Sequence, residues 1–427
     1  MREPGNPRGI LARASETLRS PLYTNAFYII LSQATTAGFG FFFWVIVARY
    51  YTEAELGYSS AIISTISFVA LIGNIGLDAF LMRFLSGARN PRGLLNTCLT
   101  YSAITTGVVA VVAAAALYVL APRLGFVAAQ PIFLAAFVGF AVVSTMSGIA
   151  GSGFVAGRQA KYLWLKDALF SVTKLFLPLL FVQRFHAFGI VASWGLATSV
   201  GLLASFLFFM PRVLPDYVPR PSLGARLVRR AWGFSGMSYL VTLIAAAPNF
   251  IMPLVVINVL GPEENAYFYV AWAIATLLFS IPSSIALSLF AEGSHNRHKL
   301  HHDARRATLL SAALLVFAVL FVWLLGDRVL LAFGGNYSER SMDLLRILAP
   351  AGIPMTIERV YFAMLRIRGR MRELAVWNAA LTVALLVTSY LLVKTGGLEA
   401  IGWVWLVTHG AVALVILSLR SELWLRR

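Results

Sequence analysis

Long apolar stretches separated by short polar segments make up nearly all of the chain. Each stretch is close to the roughly 20 residues that an α-helix needs to cross the hydrocarbon core of a bilayer. The predicted spans are residues 22–48, 56–82, 95–121, 131–157, 160–183, 187–211, 234–260, 265–291, 307–331, 341–365, 373–394 and 398–419. The pattern predicts an all-α, polytopic membrane protein with twelve transmembrane helices.

A segment rich in proline and arginine interrupts this pattern near the middle of the sequence. Residues 211–232 hold four prolines, five arginines and a single acid, Asp216. Each proline removes a backbone hydrogen-bond donor, so a long buried helix is not expected there. We predict a cytoplasmic N-terminal segment at 1–20, an N-terminal lobe of helices 1–6 at 21–211, a cytoplasmic linker at 212–231, a C-terminal lobe of helices 7–12 at 232–420 and a cytoplasmic tail at 421–427.

The composition favours a membrane protein and argues against other classes. Of the 427 residues, 59% are hydrophobic and 12% are charged, whereas soluble proteins carry about 25% charged residues. A net charge of +17 would suggest a nucleic-acid partner in a soluble protein. Here the basic residues lie between apolar stretches, so no nucleic-acid partner is predicted. The single cysteine, Cys98, excludes a disulfide framework and a thiolate metal site.

The distribution of basic residues predicts the orientation in the membrane. With the N-terminus placed in the cytoplasm, 26 of the 35 Lys and Arg residues fall on the cytoplasmic side, six on the opposite side and three inside spans. Such an excess marks the cytoplasmic side of a membrane protein. We therefore predict a multi-pass protein of the cell (plasma or inner) membrane, with both termini in the cytoplasm.

The two halves of the chain contain similar sequences at matching places. The stretch VARYYTEAELGY at Val47–Tyr58 resembles VINVLGPEENAY at Val256–Tyr267, and GRQAKYLWL from Gly157 resembles GRMRELAVW from Gly369. Because each half has six predicted spans, both halves have the same orientation. The pattern is typical of a parallel repeat, which places a central cavity between two helix bundles.

At these residues the chain resembles the polysaccharide (O-antigen type) flippase family of the multidrug/oligosaccharidyl-lipid/polysaccharide (MOP) flippase superfamily. The resemblance rests on the junction ARYYTEAELGY, on NIGLDAFLMRFL at the end of helix 2, on the start of helix 5 and on the twelve-span layout. It implies two six-helix bundles in a V-shaped fold. It also implies a transporter that flips polyprenyl-pyrophosphate-linked oligosaccharide from the inner to the outer leaflet by alternating access, for polysaccharide biosynthesis.

Charged residues inside spans are the strongest functional candidates, because each costs about 2.5–3.5 kcal/mol at mid-membrane on insertion scales. In helix 5, Asp167, Ser171 and Lys174 share one helical face. One interpretation is a cavity-lining face on which Lys174 contacts the pyrophosphate. The other is a structural Asp–Lys pair, with Lys166 extending to the cytoplasmic surface.

Helix 10 carries two further basic candidates. The planar fork of Arg359 suits a phosphate group better than a lysine does, although Arg359 could instead pair with a glutamate inside the bundle. Arg346 is also a cavity candidate, and the alternative for it is a structural pair with Asp343, three residues before it.

Uncharged polar residues and intramembrane acids complete the set of candidates. Amides and hydroxyls suit sugars, and the residues proposed for this role are Asn25, Gln33 and Thr36 of helix 1 and Asn249 of helix 7. Helix–helix packing is the alternative for the helix 1 stripe. An ion gradient is the expected energy source, and the acids available to couple it are Asp78, Asp167 and Glu358. For Asp78, an ion pair with Arg83 is the alternative.

A metal site would fit the spacing of four histidines in one loop, but a solvated basic loop facing anionic lipid is favoured. These residues are His295, His298, His301 and His302. We predict no metal site, no cofactor and no catalytic residue.

Two other functions compete with flipping of a lipid-linked oligosaccharide. A cation-coupled drug antiporter of the same superfamily is disfavoured by two cations in the cavity, Lys174 and Arg359. A membrane-embedded glycan polymerase or glycosyltransferase would need a sizeable extramembrane loop or an acidic metal motif, so we expect a non-enzyme. The expected partners are the lipid bilayer, the lipid-linked oligosaccharide, a glycan polymerase and glycosyltransferases.

Overall fold

The computed structural model describes residues 21–293 and 300–419. Within those ranges the regular structure is helical and no strand occurs, so the predicted all-α class is confirmed. The predicted cytoplasmic segments 1–20 and 421–427 lie outside the described residues, as do His295 and His298 of the histidine loop.

The described residues contain fourteen α-helices, numbered here in chain order. They are α1 (Pro21–Tyr50), α2 (Glu53–Asn74), α3 (Leu77–Phe84), α4 (Pro91–Leu120), α5 (Phe126–Ala129), α6 (Pro131–Ala156), α7 (Ala160–Ala204), α8 (Met210–Val213), α9 (Ala225–Val259), α10 (Pro262–Gly293), α11 (Leu300–Leu331), α12 (Gly335–Leu348), α13 (Gly352–Ile367) and α14 (Met371–Ser418). A π-helical turn at Ser205–Phe209 joins α7 to α8.

Nine helical stretches in the described ranges are long and apolar enough to cross a bilayer. The two longest each consist of two helices joined at a kink, at His186 in α7 (φ 46°, ψ −139°) and at Gly397 in α14 (φ 59°, ψ −153°). Both kinks fall between predicted spans. With these two helices divided, and with α2–α3, α7–α8 and α12–α13 each taken as one interrupted span, the described residues follow the twelve predicted spans.

Two of the spans are broken where the sequence predicts continuous helix. Between α2 and α3, Ile75 and Gly76 have φ of 46° and 77°, so a β-branched residue takes a strained left-handed conformation. Between α12 and α13, a 3-10 turn at Ala349–Ala351 contains Pro350, which cannot donate a helical hydrogen bond.

The chain forms two compact units. The N-terminal unit consists of the described parts of Met1–Ile46, Val69–Leu120 and Gly125–Gly236. The C-terminal unit consists of the described parts of Val47–Phe68, Ala121–Leu124 and Met237–Arg427. Most of α2 therefore belongs to the C-terminal unit, although it comes from the first half of the chain.

Close helix packing in the N-terminal unit depends on small side chains. Thr106 Oγ1 of α4 donates a hydrogen bond to Thr145 Oγ1 of α6 at 2.9 Å, and the Thr105 hydroxyl donates to the Gly73 carbonyl at 2.5 Å. A Cβ atom at Gly73 would lie 2.1 Å from Thr106 Oγ1. Glycine therefore allows the close approach of α2 to α4, as small residues commonly do between membrane helices.

The two similar repeat junctions pack against each other inside the C-terminal unit. A Cβ atom at Gly57 would lie only 1.8 Å from the Pro262 carbonyl oxygen. The side-chain amide of Asn265 donates to the Gly57 carbonyl at 2.7 Å and to Ser60 Oγ at 3.1 Å. The start of α2 is thus held directly on the start of α10.

Two arginines from the first half of the chain bind the ends of helices in this unit. Arg49 donates to the Leu331 and Ala332 carbonyls at 2.6 and 2.8 Å, and Arg123 donates to the Ile257 carbonyl at 2.9 Å. The last carbonyls of a helix lack intrahelical partners and carry partial negative charge. Both arginines therefore cap helix C-termini.

The proline-rich segment packs on α4 of the N-terminal unit. The buried Tyr217 hydroxyl donates to Asn96 Oδ1 at 2.7 Å, and Asn96 Nδ2 donates to the Val218 carbonyl at 3.0 Å. The Ser222 amide donates to Thr100 Oγ1 at 3.0 Å. Burial raises the pKa of the Tyr217 phenol, which keeps it a hydrogen-bond donor. Helix α9 then begins at Ala225, within the segment predicted as linker.

Candidate functional site

Four polar side chains meet where α1, α6 and α7 pack in the N-terminal unit. Lys166 Nζ lies 2.7 Å from Asp167 Oδ1 and donates to Ser147 Oγ at 3.1 Å. The Ser32 hydroxyl donates to the other oxygen of Asp167. Lys166 is 7% exposed, so it does not extend to the surface. The ion pair on this helix is therefore Lys166–Asp167.

Lys174 occupies a separate aromatic site on the same helix. Its Nζ lies 4.6 Å from the centroid of the Phe170 ring and 5.2 Å from that of Phe43. The side chain is buried, and a Cβ atom at Gly40 would lie 3.9 Å from Nζ. Within residues 21–293 and 300–419, no carboxylate and no hydrogen-bond acceptor pairs with this amine. The alternative of an Asp167–Lys174 pair is therefore wrong.

The polar side chains predicted on α1 differ in their contacts: some form hydrogen bonds with α7, and others are exposed or half-buried. Asn25 Oδ1 accepts a hydrogen bond from the Ala160 amide at the start of α7 at 2.9 Å. Thr35, a neighbour of the predicted Thr36, accepts from Trp164 Nε1 of α7 at 3.2 Å. Gln33 is exposed and Thr36 half-buried. Helix packing thus accounts for Asn25, whereas Gln33 remains available to a ligand.

Asp78 lies in the first turn of α3, directly after the backbone break at Ile75 and Gly76. Its amide donates to Asn74 Oδ1 at 3.2 Å. A helix N-terminus stabilises a carboxylate through its partial positive charge. No ion pair joins Asp78 to Arg83 in the part of the chain that the structure describes, so the predicted alternative is not observed.

A cavity of about 330 Å³ lies inside the C-terminal unit between α9, α10, α13 and α14. Arg359 lines it and also lines an adjoining cavity of about 220 Å³. Arg359 Nε is buried and has no hydrogen-bond partner, and no carboxylate pairs with this side chain among the described residues. The predicted Arg359–glutamate pair is therefore not observed.

The glutamate beside Arg359 pairs with a histidine instead. Glu358 Oε1 and Oε2 lie 3.0 and 2.8 Å from His409 Nδ1 of α14. The two side chains are only 1% and 3% exposed, and the His409 ring lines the cavity. Consecutive residues point about 100° apart on a helix, so Glu358 faces α14 while Arg359 faces the cavity. Sequence reasoning missed His409, although a histidine inside an apolar span was the available signal.

The remaining candidates of this unit lie in different places. Asn249 lines the larger cavity beside Pro248. Arg346 is half-exposed on α12 and lies 3.6 Å from Asp343, and it lines neither cavity. The structural pair predicted as its alternative is thus observed.

The described residues contain no group of three or more His, Cys, Asp or Glu side chains that could hold a metal ion. His302, the member of the histidine loop whose side chain is described, lies 3.3 Å from Asp303.

Comparisons with known proteins identify the fold. A family model described as MatE matches residues 238–391. No curated protein matches the chain in sequence. An inward-facing multidrug resistance MATE family transporter of the MOP superfamily is 15% identical, with a TM-score of 0.68 over 92% of this chain and 99% of that one. The lipid II flippase MurJ, in an inward closed conformation, is 11% identical, with a TM-score of 0.72 over 93% and 88%. The chain has the MOP transporter fold.

A third similar structure has a binding pocket of reversed polarity. It is a MOP superfamily transporter from Pyrococcus furiosus, for which reversed polarity of the binding pocket suggests a different function. It is 18% identical, with a TM-score of 0.60 over 94% of this chain and 96% of that one.

Proposed function

We propose that this protein flips a polyprenyl-pyrophosphate-linked oligosaccharide from the inner to the outer leaflet of the cell membrane by alternating access. The observation that carries the proposal is that two buried cations form no ion pair among the described residues, Lys174 in the N-terminal unit and Arg359 in the C-terminal unit. A pyrophosphate crossing the bilayer needs its charge offset, because an unpaired anion is very costly away from water.

The two cations differ in chemistry, and we propose that the pyrophosphate contacts each of them at a different step of its transfer. Cation–π contacts with Phe43 and Phe170 stabilise the Lys174 ammonium by about 2 kcal/mol when desolvated, without neutralising it. Arg359 presents a planar fork that can bind two phosphate oxygens at once. Uncharged side chains beside Arg359, such as Asn249 and Asn378, suit sugar hydroxyls. The similarity in fold to the lipid II flippase MurJ supports a lipid-linked substrate.

This function would place the protein between two classes of enzyme. Glycosyltransferases that assemble the oligosaccharide on its lipid would supply the substrate in the inner leaflet. A glycan polymerase would consume it in the outer leaflet. We therefore propose these enzymes as its functional partners.

A drug antiporter remains the second candidate, because the MatE model matches residues 238–391 and includes both Glu358 and Arg359. An acid that exchanges a proton or sodium ion for a cationic drug would fit that function. Against it, the described cavity residues present Arg359 and no carboxylate, since Glu358 is turned toward His409.

Reconstitution separates the two candidates. Purified protein is placed in vesicles that contain a fluorescent polyprenyl-pyrophosphate oligosaccharide, and a membrane-impermeant quencher reports exchange between leaflets. We expect exchange well above that of empty vesicles. If exchange stays at the empty-vesicle rate while the same protein moves ethidium against an imposed ion gradient, the antiporter replaces the flippase.

A further inference from the structure

The buried Glu358–His409 pair lies directly beside the cation that we assign to the substrate. Its two carboxylate oxygens are within 3.0 Å of His409 Nδ1, and the two side chains are nearly inaccessible. Within the described residues, no other charged group touches the pair. A carboxylate and an imidazole in direct contact form a group that can hold or release one proton, and histidine is the side chain type used most often for this purpose near neutral pH.

The other groups that face this cavity are almost all neutral. Helix α9 contributes Asn249, α10 contributes Thr276, Ser280 and Ser283, and α14 contributes Asn378, Thr382 and Trp405. Helix α11 contributes no described residue to the cavity lining, and its buried Ser311 is hydrogen-bonded to Thr356 of α13 at 3.0 Å. Among the described lining residues, Arg359 and His409 alone are titratable.

Three more charged side chains lie near this pair. Arg366, two turns along α13, lines the adjoining cavity and is exposed. Glu373 of α14 accepts from the Tyr361 hydroxyl at 2.8 Å and lies 2.5 Å from Arg370. Near Arg359, the Glu358–His409 pair thus supplies the negative charge, whereas Arg366 adds positive charge.

We propose that the Glu358–His409 pair is a proton site whose occupancy sets the affinity of the C-terminal cavity for a pyrophosphate anion. Without the proton, the pair carries one negative charge, which offsets Arg359. With the proton, the pair is neutral and the positive charge of Arg359 is free to bind an anion. Proton and anion then favour each other's binding, as linkage requires. The inference deepens the proposed function and rests on it.

The test measures binding and proton uptake together. Full-length protein in lipid nanodiscs is titrated with farnesyl pyrophosphate from about pH 5 to about pH 8, the range in which histidine changes charge. Inorganic pyrophosphate serves as a second probe, and tighter binding of the farnesyl compound identifies the lipid as part of the ligand. We expect affinity to fall at least fivefold as the pH rises, the lower end of typical coupling between sites. In weakly buffered solution, binding near neutral pH should take up protons.

The variant His409→Gln can still donate a hydrogen bond to Glu358 but cannot titrate. Because the pair in this variant stays in the form that offsets Arg359, we expect binding of the anion to be as weak as in the wild type at high pH, with a flat pH profile and without proton uptake. The exposed His302→Gln should behave like the wild type. If His409→Gln fails to accumulate, His409→Asn gives the same test, because its amide can also donate a hydrogen bond but cannot take up a proton.

The possible failures are distinguishable. If the wild type binds farnesyl pyrophosphate and His409→Gln keeps the full pH dependence, this inference is overturned and the proposed function stands. If the wild type binds neither probe at any pH, both are overturned. If Arg359→Gln binds the probe as tightly as the wild type, Arg359 is not part of the binding site, and both this inference and the proposed function are overturned.

Discussion

Asp167 forms its ion pair with its chain neighbour Lys166, at 2.7 Å, and not with Lys174 two turns along the same helix. Ser32 of α1 and Ser147 of α6 complete the hydrogen bonds of that pair. The two lysines of α7 are therefore different in kind. Lys166 is a structural residue with a fixed partner, whereas Lys174 is a cation held only by aromatic rings in the described part of the chain.

This difference predicts opposite phenotypes for two matched substitutions. Lys174→Met should accumulate in the membrane, because a thioether packs well against Phe43 and Phe170, but it should lose translocation. Lys166→Met should accumulate poorly, since it leaves the partly buried Asp167 carboxylate without its charged partner, at a cost of up to about 3–5 kcal/mol. Protein level on membranes and flipping in vesicles are measured for both. Full transport by Lys174→Met would make this lysine dispensable.

Access to the Lys174 amine can be tested without changing its charge. A Cβ atom at Gly40 would lie 3.9 Å from Nζ, whereas one at Gly38 has nothing within 4 Å. Gly40→Leu should therefore cover the amine and reduce flipping at least tenfold, with Gly38→Leu as the matched control of equal added volume. The expected fold-change corresponds to about 1.4 kcal/mol. Equal activity of the two variants would place the substrate path elsewhere.

The sequence could locate the buried charges but not their partners. Helical spacing places Asp167 and Lys174 on one face, and a pair between them follows from that spacing alone. The actual partner is decided by Ser32 and Ser147, which come from helices 135 and 19–20 positions away in the chain. Such tertiary contacts carry no local sequence signal, and the same limit hid the Glu358–His409 pair.

Arg359 should depend on its shape as well as on its charge. Arg359→Ala should abolish translocation, and Arg359→Lys should retain part of it, because a lysine keeps the charge but cannot form a bidentate contact with phosphate. Initial rates of flipping at equal protein density provide the measurement. Equal rates for the lysine variant and the wild type would show that charge alone is required.

The contact between Gly57 and Pro262 predicts strong intolerance to one methyl group. Gly57→Ala would bring Cβ within 1.8 Å of a backbone oxygen, and overpacking of this kind costs about 1–3 kcal/mol. Gly139→Ala on α6, with nothing within 4 Å, is the control. We expect the thermal unfolding temperature to fall for Gly57→Ala and to stay unchanged for Gly139→Ala. Identical unfolding temperatures would mean that the two helices can separate without loss of stability.

The predicted orientation is tested with reporter fusions. The asymmetry of 26 against six basic residues predicts that reporters inserted after Gly224 and fused after Arg427 both lie in the cytoplasm. A reporter active only in the cytoplasm, paired with one active only outside, gives the answer. An external signal at either position would mean that the predicted number of spans is wrong.

The fold was more predictable than the site. The kinks at His186 and Gly397 fall where polar residues separate two apolar stretches, so hydropathy alone divides these helices correctly. The breaks at Ile75 and at Ala349–Ala351 lie inside apolar stretches, where hydropathy does not change. Pro350 offered a local signal for the second break, whereas the left-handed conformation of Ile75 depends on its tertiary surroundings.

The attachment of the proline-rich segment to α4 determines where this polypeptide can be divided. Asn96 and Thr100 obtain partners from Tyr217, Val218 and Ser222, so a fragment that stopped at residue 211 would leave these polar groups of α4 without them. A cut between Leu223 and Gly224 removes none of these bonds and precedes α9. Co-expression of the two halves as separate polypeptides should therefore use that point, where protease sites and affinity tags also disturb the protein least.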